Sequence, residues 1–172
     1  LNFSLFRIIG FDVSHHPRDR SRSVGALVAT MDLNKSSVFY SITMEYRDGN
    51  EMVQGLDKYL HSAMQKYETI CGDLPERIVF YRDGVGEGQL PTVNAQEVEP
   101  ILATLKKVYG NVNKKPRFAY IIVNKRTNAR FFKKDASNYS NPRPGTVIDR
   151  VVTMEDRSDF YLISQKVGQG TV

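Results

Sequence analysis

The chain has 172 residues, of which 41% are hydrophobic and 25% charged, and its 24 Lys+Arg against 19 Asp+Glu give a formal net charge of +5. These totals exclude a disordered chain and fit one domain with a real core; the basic excess is compatible with a polyanionic partner but requires none. A single cysteine, Cys71, excludes an internal disulfide and a cysteine-cluster zinc site, and no apolar run approaches the ~20 residues of a membrane span.

The opening "LNFSLFRIIGFDV" carries Arg7 within its apolar run and lacks a basic leader and a small-residue cleavage site, so it reads as a strand and not a signal peptide. Within it, "FRIIGFDV" (6–13) is predicted as a central strand. "VGALVATMDL" (24–33) and "VFYSITMEYR" (38–47) follow across short polar turns, which predicts an antiparallel meander. From Glu51 the period changes: Met52, Val53, Leu56, Leu60, Ala63, Met64, Tyr67 and Ile70 predict an amphipathic helix, N-capped by Asn50 and stopped by Gly72 and Pro75. "IVFY" (78–81) is a fourth strand that ends in Arg82 and Asp83 and three glycines. Val98, Ile101, Leu102, Leu105 and Val108 predict a second helix, which begins near Pro100 or kinks there. "RFAYIIV" (117–123) is a fifth strand, with shorter ones expected at 128–132, 145–153 and 159–164. The sum is an α/β chain: a mixed sheet flanked by helices, in which a three-strand meander is joined by parallel strands.

Strand direction then brings acidic residues together. In a meander the third strand runs parallel to the first, and a crossover helix makes the fourth parallel to both. Asp12 and Asp83 therefore end strands on one side of the sheet, adjacent if those strands are neighbours, and the helix that begins with Glu51 starts on that side too. Singly, a strand-end Asp serves as a turn residue and a first-turn Glu complements the helix dipole. Jointly, three packed carboxylates repel unless a cation holds them. Oxygen-only ligands suit Mg²⁺ or Mn²⁺, and such a set suits two-metal phosphodiester hydrolysis, with the ions ~3.5–4 Å apart.

Five stretches, "IIGFDVSHHP", "ERIVFYRDGVGEGQL", "FAYIIVNKRTNARFF", "PRPGTVIDRVVT" and "DFYLISQKVGQGTV", resemble the PIWI domain of Argonaute proteins, and of the Piwi clade more than the Ago clade. The resemblance runs in order over nearly the whole chain. It implies an RNase H-like fold, with 1–172 as a single PIWI domain that is C-terminally incomplete. It implies a small-RNA (piRNA)-guided endoribonuclease acting on target RNA in transposon silencing, or, as the alternative, a guide-binding silencing scaffold that does not cut. By the family motifs, Asp12, Glu51 and Asp83 match three members of a catalytic tetrad that holds Mg²⁺ (or Mn²⁺), with Asp12 and Asp83 as metal ligands; Glu45 is a poorer match for the glutamate. The fourth member would lie beyond Val172, so this segment by itself is expected to bind metal weakly. "NKRTNAR" matches a stretch that contacts guide phosphates, which nominates Lys125, Arg126 and Arg130, with Lys133 and Lys134 extending the stripe. Partners implied are a guide RNA, its target and the remaining Argonaute domains, with no membrane. The implied location is intracellular, with cytoplasmic perinuclear granules ahead of the nucleus.

Other features carry less. His15 and His16 lack further His or Cys to complete a zinc set and read as loop residues. "GVGEG" lacks the Lys-Ser/Thr of a phosphate loop. Gln165 stands where many Ago-clade proteins have a histidine. Cys71 has no basic neighbour in sequence and reads as inert. Most Tyr and Phe residues fall in strand patterns and are expected in the core.

Overall fold

A computed structural model describes residues 6–19, 22–31, 38–47, 55–110, 115–125, 127–155 and 157–167. The chain divides into two compact units, Leu1–Lys125 and Arg126–Val172.

The first unit is built on a five-stranded sheet. Its strands are β1 (Phe6–His15), β2 (Arg22–Thr30), β3 (Phe39–Arg47), β4 (Arg77–Asp83) and β5 (Arg117–Val123), in the spatial order β3-β2-β1-β4-β5. β1 pairs antiparallel with β2, and β2 with β3; β4 is parallel to β1, and β5 parallel to β4. The expected meander and crossover are therefore present, with β1 in the centre. Side chains alternate across the pleat. Ile9, Phe11, Leu27, Met44, Ile78 and Phe80 face one side and are buried. Ile8, Val24, Val28 and Tyr81 face the other and are 39–44% exposed.

Helices cover the buried side. Helix α1 (Leu56–Cys71) turns Leu56, Leu60, Met64 and Tyr67 onto the sheet. Burying each such aliphatic side chain stabilises the fold by about 1.5–3 kcal/mol. The helix begins later than its hydrophobic period suggests. Gly55, at φ 89, is left-handed and stands at the N-cap, so the turn of helix starts at Leu56. Asn50 and Glu51 lie outside the described residues. The predicted stop is where it was expected: Gly72, at φ 76, donates its N–H to the Glu68 carbonyl at 2.8 Å.

The second helical stretch starts earlier than expected. A 3₁₀ turn (Glu87–Gln89) leads into α2 (Leu90–Val93), a π turn (Asn94–Val98) and α3 (Glu99–Val108). The π turn resolves the alternatives at Pro100. The Glu99 N–H reaches back to the Asn94 carbonyl, and Pro100 falls in the first turn of α3, where its missing N–H costs nothing. The apolar stripe is Val93, Ile101 and Leu105, with Glu97 in the same row; Leu102 is 47% exposed. No helix among the described residues is long and apolar enough to cross a membrane.

The second unit has two small hairpins, β6 (Lys133–Asp135) with β7 (Asn138–Ser140) and β8 (Val147–Ile148) with β9 (Tyr161–Leu162). The strand expected at 128–132 does not form: the Arg130 guanidinium bonds the carbonyls of Thr127 and Ala129 in its own loop. The run 145–153 keeps only its middle, because Val151 takes φ 70, a conformation no strand accommodates. Phe131 packs on Tyr161 with ring centroids 4.9 Å apart, and Ile163 is buried.

Candidate functional site

The parallel register of β1 and β4 sets the site. Phe11 pairs with Arg82, so Asp12 and Asp83 are each one residue further along, Asp83 at the end of β4 and Asp12 beside it in β1, which continues to His15. By the alternation of the pleat they turn to the face that the helices leave open. Asp12 is exposed and Asp83 half-buried. Each carboxylate is anchored on its own backbone: Asp12 Oδ1 accepts the Val13 N–H at 2.8 Å, and Asp83 Oδ1 the Gly84 N–H at 2.9 Å. Gly84 then passes close to the other acid. It has φ +82, and a Cβ there would begin 3.6 Å from Asp12 Oδ1. Glycine at this point is required by the backbone, and it lets the chain leave β4 beside Asp12.

Lys125 completes the local charge pattern. β5 runs parallel to β4 with Asp83 opposite Val123, so Lys125 emerges at the same end of the sheet. Its ammonium pairs with Asp83 Oδ2. The hydrogen bond to Asp83 holds the lysine above its ordinary pKa; the Asp83 charge adds to this, slight desolvation opposes it, and the Asp12 charge adds a little more. The pair is exposed, so it adds little stability. It places a cation against Asp83, with the Asp12 charge adding to the attraction. The donors are all oxygen and lie on an open face, which fits a hard divalent ion. Among the described residues, no three His, Cys, Asp or Glu gather closely enough to hold a metal. Glu51 falls outside those residues.

The other candidates separate. Glu45, on β3 opposite Val24, lines a cavity with Ser14, His15, His16, Arg22 and Ser23, whose lining includes neither Asp12 nor Asp83. His15 Nδ1 shares a 2.7 Å hydrogen bond with Ser23, while His16 Nδ1 accepts backbone N–H groups of Arg18 and Asp19 and so ties the β1–β2 turn. Arg126 lies outside the described residues. Arg130 belongs to the second unit and is exposed, as are Lys133, which pairs with Asp135, Lys134 and Gln165. Cys71 is less isolated than its sequence suggests: buried Arg7 brings Nη2 to 3.7 Å from its sulfur and stacks 3.5 Å from the Tyr67 ring centre.

One cluster escaped the sequence reading. Beneath the acidic rim, Arg82 and Glu97 form an ion pair with side chains 2% and 0% exposed. Arg82 Nε and Nη2 donate to the Glu97 carboxylate at 3.0 and 3.1 Å. Tyr120 of β5 donates its hydroxyl to Glu97 Oε2. Burial, then the Glu97 charge, push the Tyr120 pKa well up. The signal was present: Arg82 continues the inward row Ile78, Phe80, and Glu97 occupies an apolar row four residues from both Val93 and Ile101.

The family model described as the Piwi domain matches residues 2–172. Piwi-like protein Siwi of Bombyx mori is 44% identical over 165 residues, covering 96% of this chain and 18% of that protein. The crystal structure of Drosophila Piwi superposes with a TM-score of 0.82 at 43% identity, covering 100% of this chain and 23% of that one. Kluyveromyces polysporus Argonaute, solved with a guide RNA, gives 0.76 at 28% identity, covering 96% of this chain and 20% of that one. The chain thus spans about a fifth of the length of the relatives it matches. With its mixed, helix-flanked sheet of RNase H-like type, the chain belongs to the Piwi domain family, on the Piwi-clade side of the Argonautes.

Proposed function

We propose that this chain is the catalytic-core segment of a protein that cleaves target RNA paired to a small guide RNA, the guide being a piRNA and the outcome transposon silencing. The observation that supports the proposal is that Asp12 and Asp83 each follow the last paired residues of the parallel strands β1 and β4, on the open face, with a lysine ammonium drawn to Asp83. In this reading Asp12 and Asp83 hold Mg²⁺ or Mn²⁺, and Glu51 completes the set from the segment before α1. Bound there, such ions supply Lewis-acid activation of water and charge stabilisation at the leaving oxygen.

The chain's own residues do the remainder. The backbone bonds from Val13 and Gly84 each hold one oxygen, Oδ1, of the two carboxylates. Gly84 keeps side-chain bulk away from the rim, so an RNA backbone can approach. Lys125 neutralises Asp83, and its exposed ammonium would be open to a phosphate oxygen were Asp83 to hold a divalent ion instead. Arg126 and Arg130 supply further phosphate contacts, which position a guide without reading its sequence. That Kluyveromyces polysporus Argonaute was solved with a guide RNA supports the choice of partner. The remaining Argonaute domains of a longer protein would hold the guide's ends.

The test is guided cleavage by the full-length protein carrying Asp83→Ala. Asp83 is half-buried at a strand end, so the fold and guide binding should persist while cutting falls by orders of magnitude. Undiminished cutting would refute the assignment. A wild-type protein that retains guide and target without ever cutting would instead identify a silencing scaffold.

A further inference from the structure

We propose that Arg82 is a positioning residue: held from below by Glu97 and Tyr120, its guanidinium ties β1 at Phe11 to the end of β4 and thereby fixes the separation of the Asp12 and Asp83 carboxylates. This rests on the reading of those carboxylates as cation ligands.

The geometry is specific. Phe11 and Arg82 are register partners that turn inward, and Asp12 and Asp83 directly follow them and turn outward. Arg82 Nη1 donates to the backbone carbonyl of Asp83 itself. The guanidinium carbon lies 4.9 Å from the centre of the Phe11 ring, on the residue before Asp12. Its Nε and Nη2 donate to Glu97, which the π turn after α2 delivers, and Glu97 is held in turn by Tyr120 from β5. One planar group therefore meets β1 at the residue before Asp12 and β4 at its last carbonyl. Its own orientation is set by two further elements.

Packing does not require such a group. A buried ion pair is weak grounds for stability, since apolar residues of similar volume often replace one without loss. Its distinguishing property is direction: a fork of donors that accepts one orientation. Groups that orient metal ligands from behind typically change metal affinity 10–100-fold when removed.

The experiment uses the full-length, guide-loaded protein and Mn²⁺ as the probe, with binding followed by electron paramagnetic resonance. The variant Arg82→Met/Glu97→Met/Tyr120→Phe removes all three polar members together, so none is left buried without its partner. The expected result is an unchanged melting temperature and guide affinity, Mn²⁺ affinity about tenfold weaker or worse, and a matching rise in the Mg²⁺ needed for half-maximal cleavage. A merely structural cluster would shift melting and leave Mn²⁺ affinity of the folded protein alone. If the triple variant fails to fold, Glu97→Gln keeps the shape and removes the charge; it lowers the melting temperature because Arg82 stays charged, and it is read by the Mn²⁺ affinity of the folded protein alone. Unchanged Mn²⁺ affinity overturns the positioning role. The reading of the site has its own control: wild-type Mn²⁺ binding that is indifferent to Asp83→Asn would sink that reading and the positioning role with it, whereas Asp83-dependent binding that ignores the cluster would sink the positioning role alone.

Discussion

Lys125 shows how a residue's partner depends on more than its neighbours in the chain. In sequence it opens a basic run, Lys125-Arg126, beside Arg130, and the family motif directs all three to phosphates. In the fold the parallel register of β4 and β5 delivers its ammonium to Asp83. The two roles are compatible because the lysine is exposed and its ion pair weak. Asp12 and Asp83 were legible because strand parity and direction suffice to place them. Lys125 was not, because its position needs the register of a fifth strand. The arginines belong to a simpler electrostatic problem. Exchanging Arg126 and Arg130 together for Glu in the full-length protein should weaken guide retention. It should also flatten the plot of log affinity against log salt by about 0.7 for each phosphate that is no longer neutralised. Filter binding across a salt series reads both, and an unaltered slope would exclude these residues from the guide interface.

At the level of elements, helices are attached to the sheet partly through tyrosines whose protons are hard to remove. Tyr67 of α1 is raised from 10.0 to about 12, first by burial; Tyr109, just past α3, is raised further by burial and then by the Asp73 charge. Tyr109 also donates its hydroxyl to the Pro75 carbonyl at 2.5 Å, which joins the end of α3 to the segment before β4. Tyr120 of β5 is raised as well. A folded-state pKa above the unfolded one means that the folded protein keeps a proton the unfolded chain releases. The stabilisation is then complete below the unfolded tyrosine value of about 10 and is lost as pH rises through the folded values. Lys125 acts in the same direction. The melting temperature should therefore hold steady from pH 7 to about 9 and fall steeply above 10. Tyr109→Phe should make that alkaline fall shallower. A melting temperature indifferent to pH up to 11 would contradict the assignment. The helix faces themselves were largely legible from their period. Their beginnings were not: Gly55 moves α1 to Leu56, and the π turn carries the second helical stretch back to Leu90, both backbone effects that a hydrophobic pattern does not record.

For the whole molecule, topology carries the meaning. Five strands of clear pattern, joined by short turns and crossover helices, leave few ways to connect, and the observed order follows from direction and handedness alone. The region 126–172 was read less well. Its strands among the described residues are two and three residues long, flanked by positive φ at Ala136 and Val151, and too short for a period to reveal. The central physical claim is that Asp12 and Asp83, 71 positions apart in the chain but adjacent in the sheet, share a divalent cation. Anomalous diffraction from crystals of the full-length, guide-loaded protein soaked in Mn²⁺ tests it most directly. The expected map has an anomalous peak in contact with both carboxylates, with the Lys125 ammonium displaced from Asp83. Manganese bound elsewhere, with Lys125 still on Asp83 and Asp12 bare, would contradict it.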